Sequence, residues 1–155
     1  MRYHYTYRTK AIDLWQLSMY YIYGSMAGMC NAIFTVAMLI LTITKWSSTG
    51  SVYRFFMVLV CCLFPVIQPL FVYAKAKKQA SGIKEDTEAG FADSGIYIRV
   101  GDKTSELSWD TIKRVAKKPT MIIVFSDTVH GFVLTNSVLG KDRESFYQYV
   151  VSKIK

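Results

Sequence analysis

From residue 55 the chain reads Phe55-Phe56-Met57-Val58-Leu59-Val60-Cys61-Cys62-Leu63-Phe64-Pro65-Val66-Ile67-Gln68-Pro69-Leu70-Phe71-Val72-Tyr73-Ala74, twenty residues without a charge. At ~1.5 Å of rise per residue, a helix of that length reaches roughly 30 Å, the thickness of a bilayer's hydrocarbon core. Lipid offers no water to backbone N–H and C=O groups, so such a stretch crosses as a helix. Upstream, Ile22 to Thr44 gives 23 further uncharged residues, or about 34 Å of helix. Lys45 to Arg54, with Ser47, Ser48, Gly50 and Ser51, reads as the turn between them. The pattern predicts a membrane α-helical hairpin with spans at about 22–44 and 55–74. The first run starts after some twenty residues of polar and aromatic tail and exceeds the ~7–15-residue apolar region of a signal peptide, which excludes that reading.

Charge divides the chain in two. Residues 14–74 hold only Lys45 and Arg54, whereas residues 75–155 hold fourteen Lys/Arg and ten Asp/Glu. The expected domains are therefore 1–78, an N-terminal tail with two spans, and 79–155, a water-soluble part. Arg2, Arg8 and Lys10 precede the first span and Lys75, Lys77 and Lys78 follow the second, against Lys45 and Arg54 between them. By the positive-inside rule both termini are cytosolic. Trp15, Tyr20, Tyr21 and Tyr23 on the inner side, and Trp46 and Tyr53 on the outer, stand where aromatic belts form. Cys30, Cys61 and Cys62 all fall in apolar sequence, so neither a disulfide framework nor a thiolate metal site is expected.

Inside the spans, Gly24-Ser25-Met26-Ala27-Gly28 is a GxxxG, followed by Asn31 and Thr35. Such a face lets helix backbones approach closely, either within the hairpin or between copies. Pro65 and the Gln68-Pro69 pair remove two backbone donors and put an amide at depth, which predicts a kink or hinge, with Gln68 bonded to Asn31 or to a freed carbonyl.

After a linker at 80–88 the period changes from helical to alternating. Gly90-Phe91-Ala92, the turn Asp93-Ser94-Gly95 and Ile96 to Val100 read as a hairpin, and Lys103 to Leu107 as a returning strand. Ser108 caps a short helical turn through Trp109 to Ile112. Lys113 to Lys117, Met121 to Phe125 and Val129 to Leu134 are further strand candidates, and Asp142 is expected to N-cap a helix bearing Phe146, Tyr149, Val150 and Ile154. The expectation is a small cytosolic α+β domain: an antiparallel sheet or partial barrel of about five strands with a C-terminal helix.

The stretch Tyr3 to Thr9, the two spans, Gly95-Ile96, Ser108-Trp109-Asp110-Thr111-Ile112 and Phe132-Val133-Leu134 occur in an order that resembles the YcxB-like bacterial membrane proteins. That resemblance implies a reduced pleckstrin-homology-type β domain on the inner face of the bacterial cytoplasmic membrane. In size and layout the chain is also similar to two-span effectors of anti-phage defence, whose cytosolic domain binds a cyclic oligonucleotide.

No GxGxxG, GxxxxGK[ST] or HExxH occurs, and His4 and His130 lie in separate regions, so neither enzyme nor cofactor is expected. The basic run Lys113-Arg114-x-x-Lys117-Lys118, four cations in six residues, is the positive feature of the search for a site, and alternation along a strand would split it between two faces. Two copies could gather it around a symmetry axis into an anion site. The candidate ligand-binding residues are Arg99, Lys113, Arg114, Lys117, Lys118, Thr120, His130 and Asn136, with Thr135 and Ser137 as further donors. The residues for membrane packing or hinging are Gly24, Gly28, Asn31, Pro65, Gln68 and Pro69. Two functions follow as expectations. One is a homo-oligomeric membrane effector controlled by a phosphorylated ligand such as a cyclic oligonucleotide. The other is a constitutive membrane-anchored accessory protein whose β domain docks a protein partner or anionic lipid. A nucleic-acid polymer is expected in neither.

Overall fold

The computed structural model describes residues 2–128 and 130–154. It divides into a helical unit, residues 10–82, and a β unit built from residues 2–9 together with 83–154. The sequence boundary at 78 therefore needs correction: the N-terminal tail belongs with the C-terminal domain.

In the helical unit, α1 (Ala11–Tyr23) begins where the Lys10 N–H donates to Asp13 Oδ2 at 2.9 Å. It ends at Gly24, whose N–H donates to the Tyr20 carbonyl at 3.0 Å. Ser25 then caps α2 (Met26–Lys45) by accepting from the Gly28 N–H at 3.3 Å. Gly28 is buried, and an added Cβ there would meet the Ile22 carbonyl and lie 2.6 Å from Tyr23 Cα. The GxxxG glycines thus straddle a chain corner and do not line one continuous helical face, because the serine cap stops α1 between them.

A 3-10 turn (Trp46–Ser48) leads to α3 (Ser51–Cys62), a π turn (Leu63–Ile67) and α4 (Gln68–Ser81). Met26–Ser48, 23 residues, and Ser51–Ser81, 31 residues, are two helical stretches long and apolar enough to cross a membrane. The turn is tighter than the expected 45–54. Arg54 joins α3, where its Nε donates to the Trp46 carbonyl at 2.8 Å and its guanidinium lies 5.4 Å from the Trp46 ring centroid. Gly28, Asn31, Thr35, Met38 and Thr42 recur at helical spacing as the covered side of α2. Thr42 Oγ1 meets Cys61 Sγ at 3.3 Å, and Phe34 and Phe64 pack edge to face with centroids 5.6 Å apart. Many of the remaining apolar side chains face outward. Among the described residues, every exposed large hydrophobic except Val100 and Val151 belongs to this unit, the surface expected of helices solvated by hydrocarbon.

Among the described residues the β unit has seven strands where about five were expected. A four-stranded antiparallel sheet runs β1 (Tyr3–Tyr7), β2 (Thr87–Ala92), β3 (Gly95–Val100) and β4 (Lys103–Leu107). A three-stranded one runs β5 (Arg114–Lys117), β6 (Met121–Phe125) and β7 (Gly131–Thr135). Val129, expected in the last strand, lies outside the described residues. β1 pairs with β2 in the register Tyr3↔Phe91 to Tyr7↔Thr87. Its alternation is strict: Tyr3, Tyr5 and Tyr7 turn inward and His4 and Thr6 outward.

The core gathers Phe91, Ile96, Trp109, Ile122, Val124, Leu134 and Leu139 under α6 (Arg143–Lys153), which contributes Phe146, Tyr149 and Val150. Ser108 accepts from the Asp110 N–H, as the sequence predicts, and fixes the turn that lets the Trp109 indole donate to the Ala92 carbonyl at 2.9 Å. Phe146 stacks edge-on against Phe91 at 4.8 Å and Tyr3 at 5.5 Å. Asp142 holds the N-cap position of α6 without a side-chain cap bond, because a 3-10 turn (Gly140–Asp142) and α5 (Asn136–Leu139) already bring the chain in helically.

Candidate functional site

The basic run is divided lengthwise by the pairing of β5 with β6. Arg114 lies opposite Phe125, and Lys117 opposite Ile122. Lys113 and Arg114 therefore stand at the end of β6 that leads toward His130, while Lys117, Lys118, Thr120 and Asn136 surround the turn at its other end.

At the first end Lys113 is exposed and its N–H donates to the Phe125 carbonyl at 2.8 Å, while the Arg114 guanidinium lies 4.2 Å from the Phe125 ring centroid. His130 pairs within its own turn, its N–H donating to Asp127 Oδ1 at 2.5 Å and its Nδ1 lying 2.8 Å from Asp127 Oδ2. At the second end the Lys117 amine bonds the Glu144 carboxylate and lies 5.1 Å from the Tyr147 centroid. That bond, helped by Gln148, holds the Glu144 carboxyl below its ordinary range. Asn136 donates its backbone N–H to the Thr120 carbonyl at 2.9 Å and its Nδ2 to Pro119 O at 2.8 Å. Arg143 Nη2 donates to the Lys118 carbonyl at 2.7 Å. These contacts fasten α5 and α6 to the β5–β6 turn, so this half of the expected site serves as a structural joint. Arg99 stands apart, on the other sheet.

Arg99 borders a feature that the sequence reading missed. On the outward face of the four-stranded sheet, register places His4, Gly90, Tyr97 and Glu106 in one row and Thr6, Glu88, Arg99 and Thr104 in the next. With no side chain at Gly90, a hollow of about 250 Å³ opens between His4, Glu88, Tyr97, Arg99 and Thr104. A second, of about 290 Å³, adjoins it among Glu85, Asp86, Glu88, Arg99 and Gly101. Arg99 Nε donates to the Gly101 carbonyl at 3.2 Å, which aims the guanidinium along the shared wall. Each hollow is smaller than the ~300–1,000 Å³ usual for a small-molecule cleft, and their linings carry both charge signs. They suit single side chains of a polypeptide. The readable signal was the alternation Tyr3-His4-Tyr5-Thr6-Tyr7, which turns His4 to this face once β1 is recognised as a strand.

At the mouth of the β unit, Arg8 Nε bonds Asp86 Oδ1 at 2.8 Å, extending the β1–β2 register by one pair. At the opposite end of that ladder Tyr149 Oη donates to Asp93 Oδ1 at 3.1 Å, and Lys153 pairs with the same oxygen at 2.8 Å. These bonds lower the Asp93 pKa. Burial raises the Tyr5 and Tyr7 hydroxyls to about 12 each.

In the helical unit the two amide side chains pair across the hairpin. Asn31 Nδ2 donates to Gln68 Oε1 at 3.3 Å, as one of the two sequence alternatives anticipates. Pro65 sits in the π turn and Pro69 in the first turn of α4.

No curated protein and no solved structure matches the chain. Residues 91–150, from the end of β2 into α6, match the family model described as YcxB-like protein.

Proposed function

We propose that this chain is a two-span protein of the bacterial inner membrane whose cytosolic, pleckstrin-homology-like β unit is a non-catalytic docking module for a protein partner. The observation that carries the reading is the pairing of β1 with β2. These strands flank residues 10–82 in sequence yet are hydrogen-bonded neighbours from Tyr3↔Phe91 to Tyr7↔Thr87, with Arg8 and Asp86 closing the ladder. A sheet cannot form across a bilayer, so both flanks emerge on the same side and the helical unit crosses an even number of times. The distribution of Lys and Arg makes that side the cytosol.

Four plus three strands under a C-terminal helix, together with the YcxB-like match, support the architecture. The outward face around Gly90, Tyr97 and Arg99 supports docking, since side-chain-sized hollows of mixed charge fit a polypeptide better than a phosphate cluster. The ligand-controlled effector loses three of its motives. Arg114 and Lys117 are engaged by Phe125, Glu144 and Tyr147. The GxxxG forms a corner, and Asn31 and Gln68 bond one another.

Photocrosslinking in living cells tests the reading. A crosslinker placed at Tyr97 or Thr104 is expected to trap a discrete protein, while one at Lys113 does not. Capture at Lys113 alone, or release of dye from vesicles on adding a cyclic nucleotide, would favour the effector instead.

A further inference from the structure

The two sheets have β1 and β4, and β5 and β7, as their outermost strands. β1 and β7 have α5 packed beside them, and β5 has α6. Among the described residues no helix covers β4 to a comparable extent, and Lys103, Thr104, Ser105 and Glu106 are all exposed.

The turn into β4 decides which of its backbone groups are free. Gly101 and Asp102 form a two-residue connection, with Gly101 at φ +57°, and Val100 lies opposite Lys103. The pair that closes such a turn exchanges backbone hydrogen bonds, and along an antiparallel ladder bonded and non-bonded pairs alternate. Lys103, Ser105 and Leu107 therefore bond β3, while the N–H and C=O of Thr104 and Glu106 point away from it. No backbone group among the described residues bonds these outward-pointing ones. Such an edge is a template for one more strand.

The side chains say whose strand it is. Thr104 and Glu106 face outward in the rows of Arg99 and Tyr97; Lys103, Ser105 and Leu107 face the other way, with Leu107 packed on the core. Lys103 and Glu106 enter none of the ion pairs among the described residues. Being three apart, they lie on opposite faces, so an antiparallel second copy can never set one opposite the other. The registers that match free groups to free groups put Glu106 opposite the copy's Thr104, Glu106 or Asp102, and none of these neutralises it.

We propose that β4 takes an extended segment of the docked protein as an antiparallel fifth strand of its sheet. That segment carries a cation opposite Glu106 and an acid opposite Lys103. The inference rests on the docking reading and continues its face beyond Thr104.

The probe is a segment reading Val-Arg-Thr-Thr-Glu, fused after residue 155 through about ten Gly/Ser residues, a linker of ~17 Å r.m.s. reach. Lys153 pairs with Asp93 at the β2–β3 turn, the end of the sheet where Leu107 lies opposite Ile96. The segment therefore starts beside Leu107 and runs antiparallel to β4, held at roughly millimolar effective concentration. Amide hydrogen exchange of the full chain in detergent, resolved by NMR, should show Ser105 slow and Thr104 and Glu106 fast without the segment. With it, Thr104 and Glu106 should slow by at least about tenfold. A segment with Arg and Glu interchanged should leave them fast. Glu106→Pro removes an outward N–H and no bond to β3, and should abolish the slowing at Thr104. Thr104 and Glu106 already slow without the segment, equal slowing by both segments, or slowing by neither would each overturn the proposal. A photocrosslinker at Tyr97 separates the two readings: trapping that persists in Glu106→Pro keeps the docking face and removes the added strand, whereas no trapping in the wild type removes docking itself.

Discussion

Removing β1 from the β unit should unfold it, and rejoining β1 by a short turn should restore it without any membrane segment. Tyr3, Tyr5 and Tyr7 pack half-buried on the core, beside Phe91 and Ala89, which have no exposure at all. Half of the ~1.5–3 kcal/mol for full burial of a large side chain gives about 1 kcal/mol each. The edge-on contacts of Tyr3 and Tyr5 with Phe146, at 5.5 and 5.6 Å, add ~0.5–1.5 kcal/mol apiece. The total, about 4–6 kcal/mol, is comparable to the whole stability of a domain this size, ~5–10 kcal/mol. The comparison is between residues 83–155 alone and a fusion in which residues 2–8 are joined to residues 86–155 by an Asn-Gly turn, the two-residue hairpin connection that the antiparallel register allows. Urea titration followed by far-UV circular dichroism should give a cooperative transition for the fusion and none, or a far lower midpoint, for the fragment. Equal midpoints would show that β1 contributes nothing and would refute the reasoning.

Tyr7, with its hydroxyl raised to about 12 against an ordinary 10.0, stabilises the fold by its neutral form. That contribution, about 2–3 kcal/mol from the two-unit shift, is complete below pH 10 and disappears as the pH rises through 12. Tyr7→Phe should flatten the fusion's alkaline unfolding curve in that window. Asp93, its pKa lowered by Lys153 and Tyr149, acts in the opposite sense. Its share of stability is present above the ordinary carboxylate range and is lost as the pH falls through its own lower pKa, so Asp93→Asn should make acid unfolding less steep. Gly28→Leu forces a side chain into the Ile22–Tyr23 backbone at the α1–α2 corner. The thermal midpoint of the full chain in detergent should fall by several degrees, as overpacking by ~1–3 kcal/mol implies. Trp109→Phe removes the indole bond to the Ala92 carbonyl. It should cost ~1–3 kcal/mol in urea titration, since the carbonyl loses its donor while packing area is largely kept.

The long elements were legible because one period dominates each of them. Twenty uncharged residues between Arg54 and Lys75 leave little but a helix in lipid, and Ile96-Tyr97-Ile98-Arg99-Val100 alternates strictly enough to be read as β3. What escaped depends on partners distant in sequence. β1 carries the same alternation in Tyr3 to Tyr7, but its partner begins at Thr87, beyond the whole helical unit, and a lone five-residue strand beside an apolar span reads as a tail. Gly24 to Gly28 matched a packing motif while also holding a serine cap, and the cap decided the outcome, since Ser25 Oγ binds the Gly28 N–H. The prolines announced a kink, but the shift to π register follows from the Gln68 N–H choosing Leu63. The basic run was visible, whereas Glu144 and Tyr147, which engage Lys117 from α6, were not. Sequence reasoning therefore counted as open cations that folding had already supplied with partners. The hollow beside Arg99 needed Gly90 to be seen between two neighbouring strands, and that register becomes readable only after β1 is placed.

The pairing of residues 2–8 with 86–91 across the helical unit is the claim on which topology, fold and docking face all rest. Thr6 and Glu88 are register partners on the outward face. Thr6→Cys with Glu88→Cys, in a chain whose three native cysteines are replaced and which carries a protease site at Gly50, is treated with a short bismaleimide in intact membranes and then cut. The two halves should remain joined on a denaturing gel. Separation of the halves in the Thr6–Glu88 pair, with each cysteine reacting singly, would contradict the account.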